Sequence, residues 1–197
     1  MHRLINRAFQ SYIRDTFGPP VWAAIAHQAM LGFESFEPLR DYDPQLTERV
    51  VRVASDMMQR PRDALYEDMG TYLVSHPNTV SVRRLLRFGG ARFVDFLHSL
   101  DEMPERARLA LPDLNMPLLE ITEVTPENFT LNFNPPVPGS GYILVGLLRA
   151  MADDYGALVV LEHRGNGRFG EVIDIRLADV GFASGRPFDL AAAGDRA

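Results

Sequence analysis

Five histidines, His2, His27, His76, His98 and His163, are the only imidazoles in the chain, and no two share a metal-ligand spacing. Each reads as a surface or loop residue. There is no cysteine, which removes thiolate metal sites, disulfides and cysteine nucleophiles and leaves the redox compartment undetermined. All 20 basic residues are arginine, so Schiff-base chemistry and the phosphate-binding lysines of nucleotide motifs are excluded as well. No serine stands in a nucleophile-elbow context. Asp153 and Asp154 precede Tyr155-Gly156 at a helix C-terminus, the poorer end for negative charge. With no histidine or arginine motif beside them, they read as solvated surface rather than acid–base machinery. No metal site is expected, and no enzyme.

Two features suit anions. Arg83, Arg84, Arg87 and Arg92 cluster with no acid between Thr79 and Val94, which reads as a solvated helix face, with a phosphate or partner site as the alternative. Pro138-Gly139-Ser140-Gly141 precedes a helix and can present backbone N–H groups. It lacks the third glycine, the lysine and the downstream acid of the nucleotide fingerprints, so it reads as a tight connection. A net charge of −6 argues against a dedicated nucleic-acid binder. No apolar run is long enough to cross a bilayer. The first residues, MHRLINRAFQSYIRD, lack the apolar stretch of a signal peptide, and a cytoplasmic location is expected.

The elements that position these groups follow from periodicity. At 197 residues, 46% hydrophobic and 23% charged, the chain suits one soluble domain. Helices are predicted over 4–17, 20–30, from Asp43-Pro44 to Gln59, from Pro61 to before His76-Pro77, and over 79–88. Leu46, Val50, Val53 and Met57 form the buried stripe of the third, and Leu65, Met69, Tyr72 and Leu73 that of the fourth. Ala91 to Pro112 has an apolar face of Phe93, Phe96, Leu97, Leu100, Met103 and Ala107, interrupted by Pro104. A proline in a helix interior costs about 3 kcal/mol. Either the helix kinks there, or a second helix starts with Pro104 in its first turn.

Beyond Pro112 the pattern changes to strands over 118–124 and 129–133 around Thr125-Pro126-Glu127-Asn128, a helix over 142–155, and a hairpin of 157–163 with 170–177 across Gly165-Asn166-Gly167. The fold class is α+β: a helical N-terminal part packed on an antiparallel sheet of two hairpins flanking one helix. That geometry suits a buried ligand between the helices and the sheet.

Together these blocks resemble the haem–nitric oxide/oxygen binding (H-NOX) family. HRLINRAFQSYIRDTFGPPVWAAI is similar to that family's opening helix pair, LYEDMGTYLV to its fourth helix, FLHSLDEM to the long helix before the proximal ligand, and PGSGYILVGLLRAMADDYG to its glycine loop and following helix. The resemblance covers roughly residues 1–178 and implies one domain, set here at 1–181, helical and distal over 1–60 and α/β over 61–181; the residues of 182–197 read as a loose tail. It implies a sensory domain that holds haem b between its two parts and signals to a protein partner. In that family a histidine ligates the iron and a Tyr-x-Ser-x-Arg motif holds the propionates.

Here those positions carry Pro104, Phe133, Pro135 and Val137. None offers a ligand or a hydrogen-bond donor to the group. The expectation is therefore a stand-alone, non-enzymatic, haem-free sensory or regulatory domain. Its cleft is either collapsed on Ile5, Phe9, Phe93, Leu97, Leu100 and Phe133, or occupied by an apolar small molecule such as a fatty acid or an iron-free tetrapyrrole. Two alternatives stand beside it. One keeps haem, with His98 as a substitute axial ligand, although its six-residue separation from Pro104 turns it about 120° around a straight helix. The other is a ligand-free interaction module that docks a signalling protein through Arg83, Arg84 and Arg87 or through the sheet.

Overall fold

The structure, a computed structural model, describes residues 2–37, 40, 42–110, 116–135, 137, 139–167 and 170–187. Four helices come first: α1 (His2–Phe17), α2 (Pro19–Gln28), α3 (Pro44–Met58) and α4 (Arg62–Ser75). Asp43 caps α3, its side chain accepting from Gln45 N–H, and Gln59 closes the helix in a left-handed conformation. The apolar faces of the four helices meet in one core. Phe9, Tyr12 and Ile13 of α1 pack there with Trp22 and Ile25 of α2, Val50 and Ala54 of α3, and Leu65, Tyr66 and Met69 of α4. Met57 departs from the predicted stripe and is 39% exposed, while Met58, one residue on, is the side chain of that turn that packs against this core.

A 3-10 turn over Pro77–Thr79 leads into α5 (Val80–Arg87). The predicted single helix from Ala91 to Pro112 is two: α6 (Phe93–His98) and α7 (Met103–Ala110). Pro104 stands in the first turn of α7, where its missing N–H removes no intrahelical bond. Arg106 braces the break, its guanidinium donating to Ser99 O at 2.7 Å. Pro112 lies outside the described residues.

The second part holds β1 (Leu119–Thr125), β2 (Asn128–Phe133), α8 (Gly141–Tyr155), β3 (Leu158–Gly167) and β4 (Gly170–Asp179). The strands form one antiparallel sheet in the order β1-β2-β4-β3. β3 and β4 run further than predicted, pairing as far as Gly167 with Gly170, so Gly165-Asn166-Gly167 belongs to β3. Alternation turns Phe129, Leu131, Phe133, Ile173, Ile175 and Leu177 inward, against α8 and the buried side chains of α6 and α7.

The two cores meet where α4 crosses α8. A Cβ at Gly70 would land on the backbone of α8 at Ile143, and one at Gly146 on the backbone of α4 at Glu67. The absent side chains set how closely these helices approach. After β4 the first residues of the expected tail are bonded back to the end of α8. Ala183 N–H donates to Gly156 O and Arg186 N–H to Asp154 O, at 3.0 and 2.9 Å, while residues 188–197 lie outside the description.

Candidate functional site

Between the helical part and the sheet lies a cleft of about 250 Å³. Ile5 and Ala8 of α1, Met69 and Leu73 of α4, Leu85 and Leu86 of α5, Met103 of α7, Phe133 of β2 and Ile143, Leu144 and Leu147 of α8 are among its walls. Ser140 is the only lining residue with a polar side chain among the described residues. The volume falls just below the roughly 300–1,000 Å³ usual for small-molecule clefts.

The structure distributes the predicted site residues unevenly. Ile5, Phe133 and Pro135 line the cleft. Phe9 is buried in the helical core, and Phe93, Leu97 and Leu100 in the sheet-side core. Pro104 is buried beside Met103, and Val137 is 1% exposed. His98 is elsewhere. It ends α6 with its side chain 48% exposed, Nε2 3.0 Å from Glu123 Oε2, and its ring edge-on to Phe129. It is not among the residues that line the cleft. Periodicity missed the thioethers of Met69, Met103 and Met116 as cleft-lining groups. Methionine fills apolar space like any core residue, so its spacing carries no separate signal.

The glycine loop does hold a carboxyl group, and it is the protein's own. Glu171, the first inward-facing residue of β4, accepts from Gly139 N–H at 2.9 Å and from Gly141 N–H at 3.1 Å. Its Oε2 lies 2.8 Å from His163 Nε2, and the two side chains are only 7% and 8% exposed. Tyr142 covers the imidazole with ring centroids 4.4 Å apart. His163 is therefore a buried strand residue, against the surface reading. Gly141 is required here, since a Cβ would strike Glu171 Oε2 and the Phe133 ring. The carboxylate thus sits at the N-terminus of α8, where unpaired N–H groups and the helix dipole favour negative charge. Period-two alternation was the signal available. Glu171 shares the face of Ile173, Ile175 and Leu177, and His163 that of Leu161 and Val159.

The acidic pair and the arginine cluster also resolve into one structure. Asp153 is exposed, but Asp154 is 1% exposed and bonds to Arg83 Nη2 at 2.7 Å and Nε at 2.9 Å. Arg87 Nε approaches the same carboxylate at 3.5 Å, and its guanidinium lies 3.9 Å over the Tyr155 ring. Arg92 pairs with Asp95. Of the three arginines expected to dock a partner, Arg83 and Arg87 are turned onto α8, and Arg84 faces solvent. The solvated reading of Asp154 fails because Leu147, Met151 and Asp154 recur at helical spacing and share the inward face.

Tested against haem, this cleft does not fit. The described lining residues offer iron no imidazole, thiolate or phenolate, only the thioethers of Met69, Met103 and Met116, and they include no arginine or lysine for a propionate. The buried carboxyl of Glu171, paired with Phe133 across the strands, has its oxygens committed to Gly139, Gly141 and His163 and offers a propionate no donor. Among the described residues, no three His, Asp or Glu side chains converge on a metal site, and no helix is long and apolar enough to cross a membrane.

The sequence matches the haem-NO-binding family model over residues 2–163. It is 22% identical over 163 residues to the Caenorhabditis elegans soluble guanylate cyclase gcy-31, covering 82% of this chain and 23% of the relative. Drosophila melanogaster soluble guanylate cyclase 89Da is 20% identical over 183 residues, covering 91% of this chain and 27% of the relative. The chain thus spans about a quarter of those proteins. Among solved structures, the Fe(II) unliganded H-NOX protein from K. algicida superposes with a TM-score of 0.75 at 15% identity, over 91% of this chain and 97% of that one. An oxygen-binding H-NOX domain related to soluble guanylate cyclases, in its oxygen complex, gives 0.65 at 16% identity over 95% and 100%. At such identities these structures establish the fold.

Proposed function

Because this chain belongs to the haem-NO-binding family, we propose that it is a haem-free sensory or regulatory domain with no catalysis of its own. Its output goes to a protein partner. The relatives named as soluble guanylate cyclases extend well beyond the matched segment, which supports a domain that acts on other domains or proteins. One observation carries the haem-free reading. Where the family pattern calls for donors to haem propionates, this chain has Phe133, Pro135 and Val137, with the buried carboxylate of Glu171 directly opposite Phe133. Two further carboxylates beside it would lack partners, at a cost of several kcal/mol per ion. The absorption spectrum of protein purified from haem-supplemented cells tests the reading, and a haem-free domain shows no stoichiometric Soret band.

A second reading is favoured by Met103, which lines the cleft next to Pro104 and carries a thioether of the kind that ligates iron in cytochromes c. It predicts a Soret band that Met103→Leu abolishes.

A further inference from the structure

The apolar cleft has a polar neighbour. A groove of about 460 Å³ runs along α1 and the end of α4, and it shares Ala8 and Leu73 with the cleft. α1 supplies both sides: Ile5 and Ala8 line the cleft, while Arg7, Ser11 and Arg14 line the groove. Ala8, with a single methyl, lines both. From this juxtaposition we propose that the domain binds an anionic amphiphile. A single aliphatic chain lies in the cleft, and a carboxylate or phosphate head crosses Ala8 to meet Arg7 and Ser11. This rests on the haem-free reading above.

The polar groups in the groove differ in how much they have left to offer. Gln10 is committed, its amide donating to Ser35 Oγ at 2.8 Å and accepting from Phe36 N–H at 2.9 Å. The Asp15 carboxylate accepts from Tyr72 Oη at 2.6 Å and Asn78 Nδ2 at 2.9 Å, and it offsets the charge of nearby Arg14. Arg7 has no acidic partner among the described residues. The Ser11 hydroxyl, four residues on and therefore on the same side of α1, makes no side-chain bond among them either. A guanidinium fork and a hydroxyl together suit a carboxylate or phosphate.

The tail site is equally defined. A methylene occupies about the volume of a water molecule, about 30 Å³ in the liquid, so the 250 Å³ cleft takes roughly eight. Met69, Met103 and Met116 add flexible thioether walls, which adapt to an unbranched chain better than β-branched residues do. A neutral alkane would fill the cleft but leave Arg7 unused.

Calorimetric titration of the full chain with decanoate, decyl phosphate and decanol tests the proposal. Decanoate or decyl phosphate should bind at one site per chain and decanol at least about tenfold more weakly. Arg7→Gln, on the exposed side of α1, should weaken the anionic probe about tenfold, the ratio a lost charge-assisted hydrogen bond gives, and leave decanol unchanged. A preference for decanoate identifies a carboxylate head, and a preference for decyl phosphate a phosphate head. Equal binding of decanol, insensitivity to Arg7→Gln, or no binding of any probe overturns the proposal and leaves the haem-free reading standing. A Soret band in the purified protein overturns that reading instead.

Discussion

Glu171 and Phe133 are direct partners across β4 and β2, so a buried carboxylate stands beside a phenyl ring that has no hydroxyl to give it. The carboxylate turns instead to the N–H groups of Gly139 and Gly141 and to His163. It staples β4 and β3 to the start of α8. Glu171→Gln keeps the shape but replaces one acceptor oxygen with a donor that faces other donors. The expected loss is about 1–3 kcal/mol of folding stability, the cost of a buried polar group left unpaired, read from denaturant unfolding. An unchanged midpoint would show that the loop does not depend on this carboxylate.

Asp153 and Asp154 are adjacent in sequence and opposite in role. Asp154→Ala leaves Arg83 and Arg87 packed on α8 without their shared carboxylate, and the expected cost is about 3–5 kcal/mol. Asp153→Ala, at an exposed position, should change stability by no more than about 0.5 kcal/mol. Parallel urea melts of the two variants check the contrast.

These residues show what was legible in the sequence and what was not. The helices, the strands and the place of Pro104 follow from local period and from proline's missing N–H. Those effects act over a few residues. Glu171 meets a loop 30 residues away, and Asp154 meets Arg83 across 71. No local pattern pairs such distant groups. Their registers did carry a trace, since both stand on apolar faces, where a charge must find a partner. The tail after β4 has no apolar period, and its backbone bonds to Gly156 and Asp154 left no mark in the sequence. The cleft itself was anticipated from the layer arrangement. Which side chains line it depended on the break between α6 and α7.

The Asp15 carboxyl is held below its ordinary value of 3.8 by hydrogen bonds from Tyr72 and Asn78. A depressed folded-state value means that this stabilisation is fully present above the unfolded value and is lost as pH falls through the folded one. Asp15→Asn should therefore lower stability at neutral pH, and its difference from the parent should shrink below about pH 4. Unfolding curves collected from pH 7 downward report it. A difference that grows in acid would contradict the assignment.

Gly146 lets α8 lie against α4 at backbone distance. Gly146→Ala places a methyl on Glu67 O, and the helices must separate. An overpacked contact of this kind costs about 1–3 kcal/mol. Because the cleft is lined from both helices, the same variant should also change affinity for any ligand held there. Thermal melts and titrations with decanoate measure the two effects together.

The cleft beside Pro104 is proposed to hold no haem. The most direct test is titration of purified protein with ferrous haem under nitrogen, followed by nitric oxide and carbon monoxide, with absorbance read through the Soret region. A haem-free domain gives no saturable one-to-one Soret component and no shift with either gas beyond that of free haem. A stoichiometric band that saturates at one haem per chain and moves with nitric oxide or carbon monoxide would contradict it.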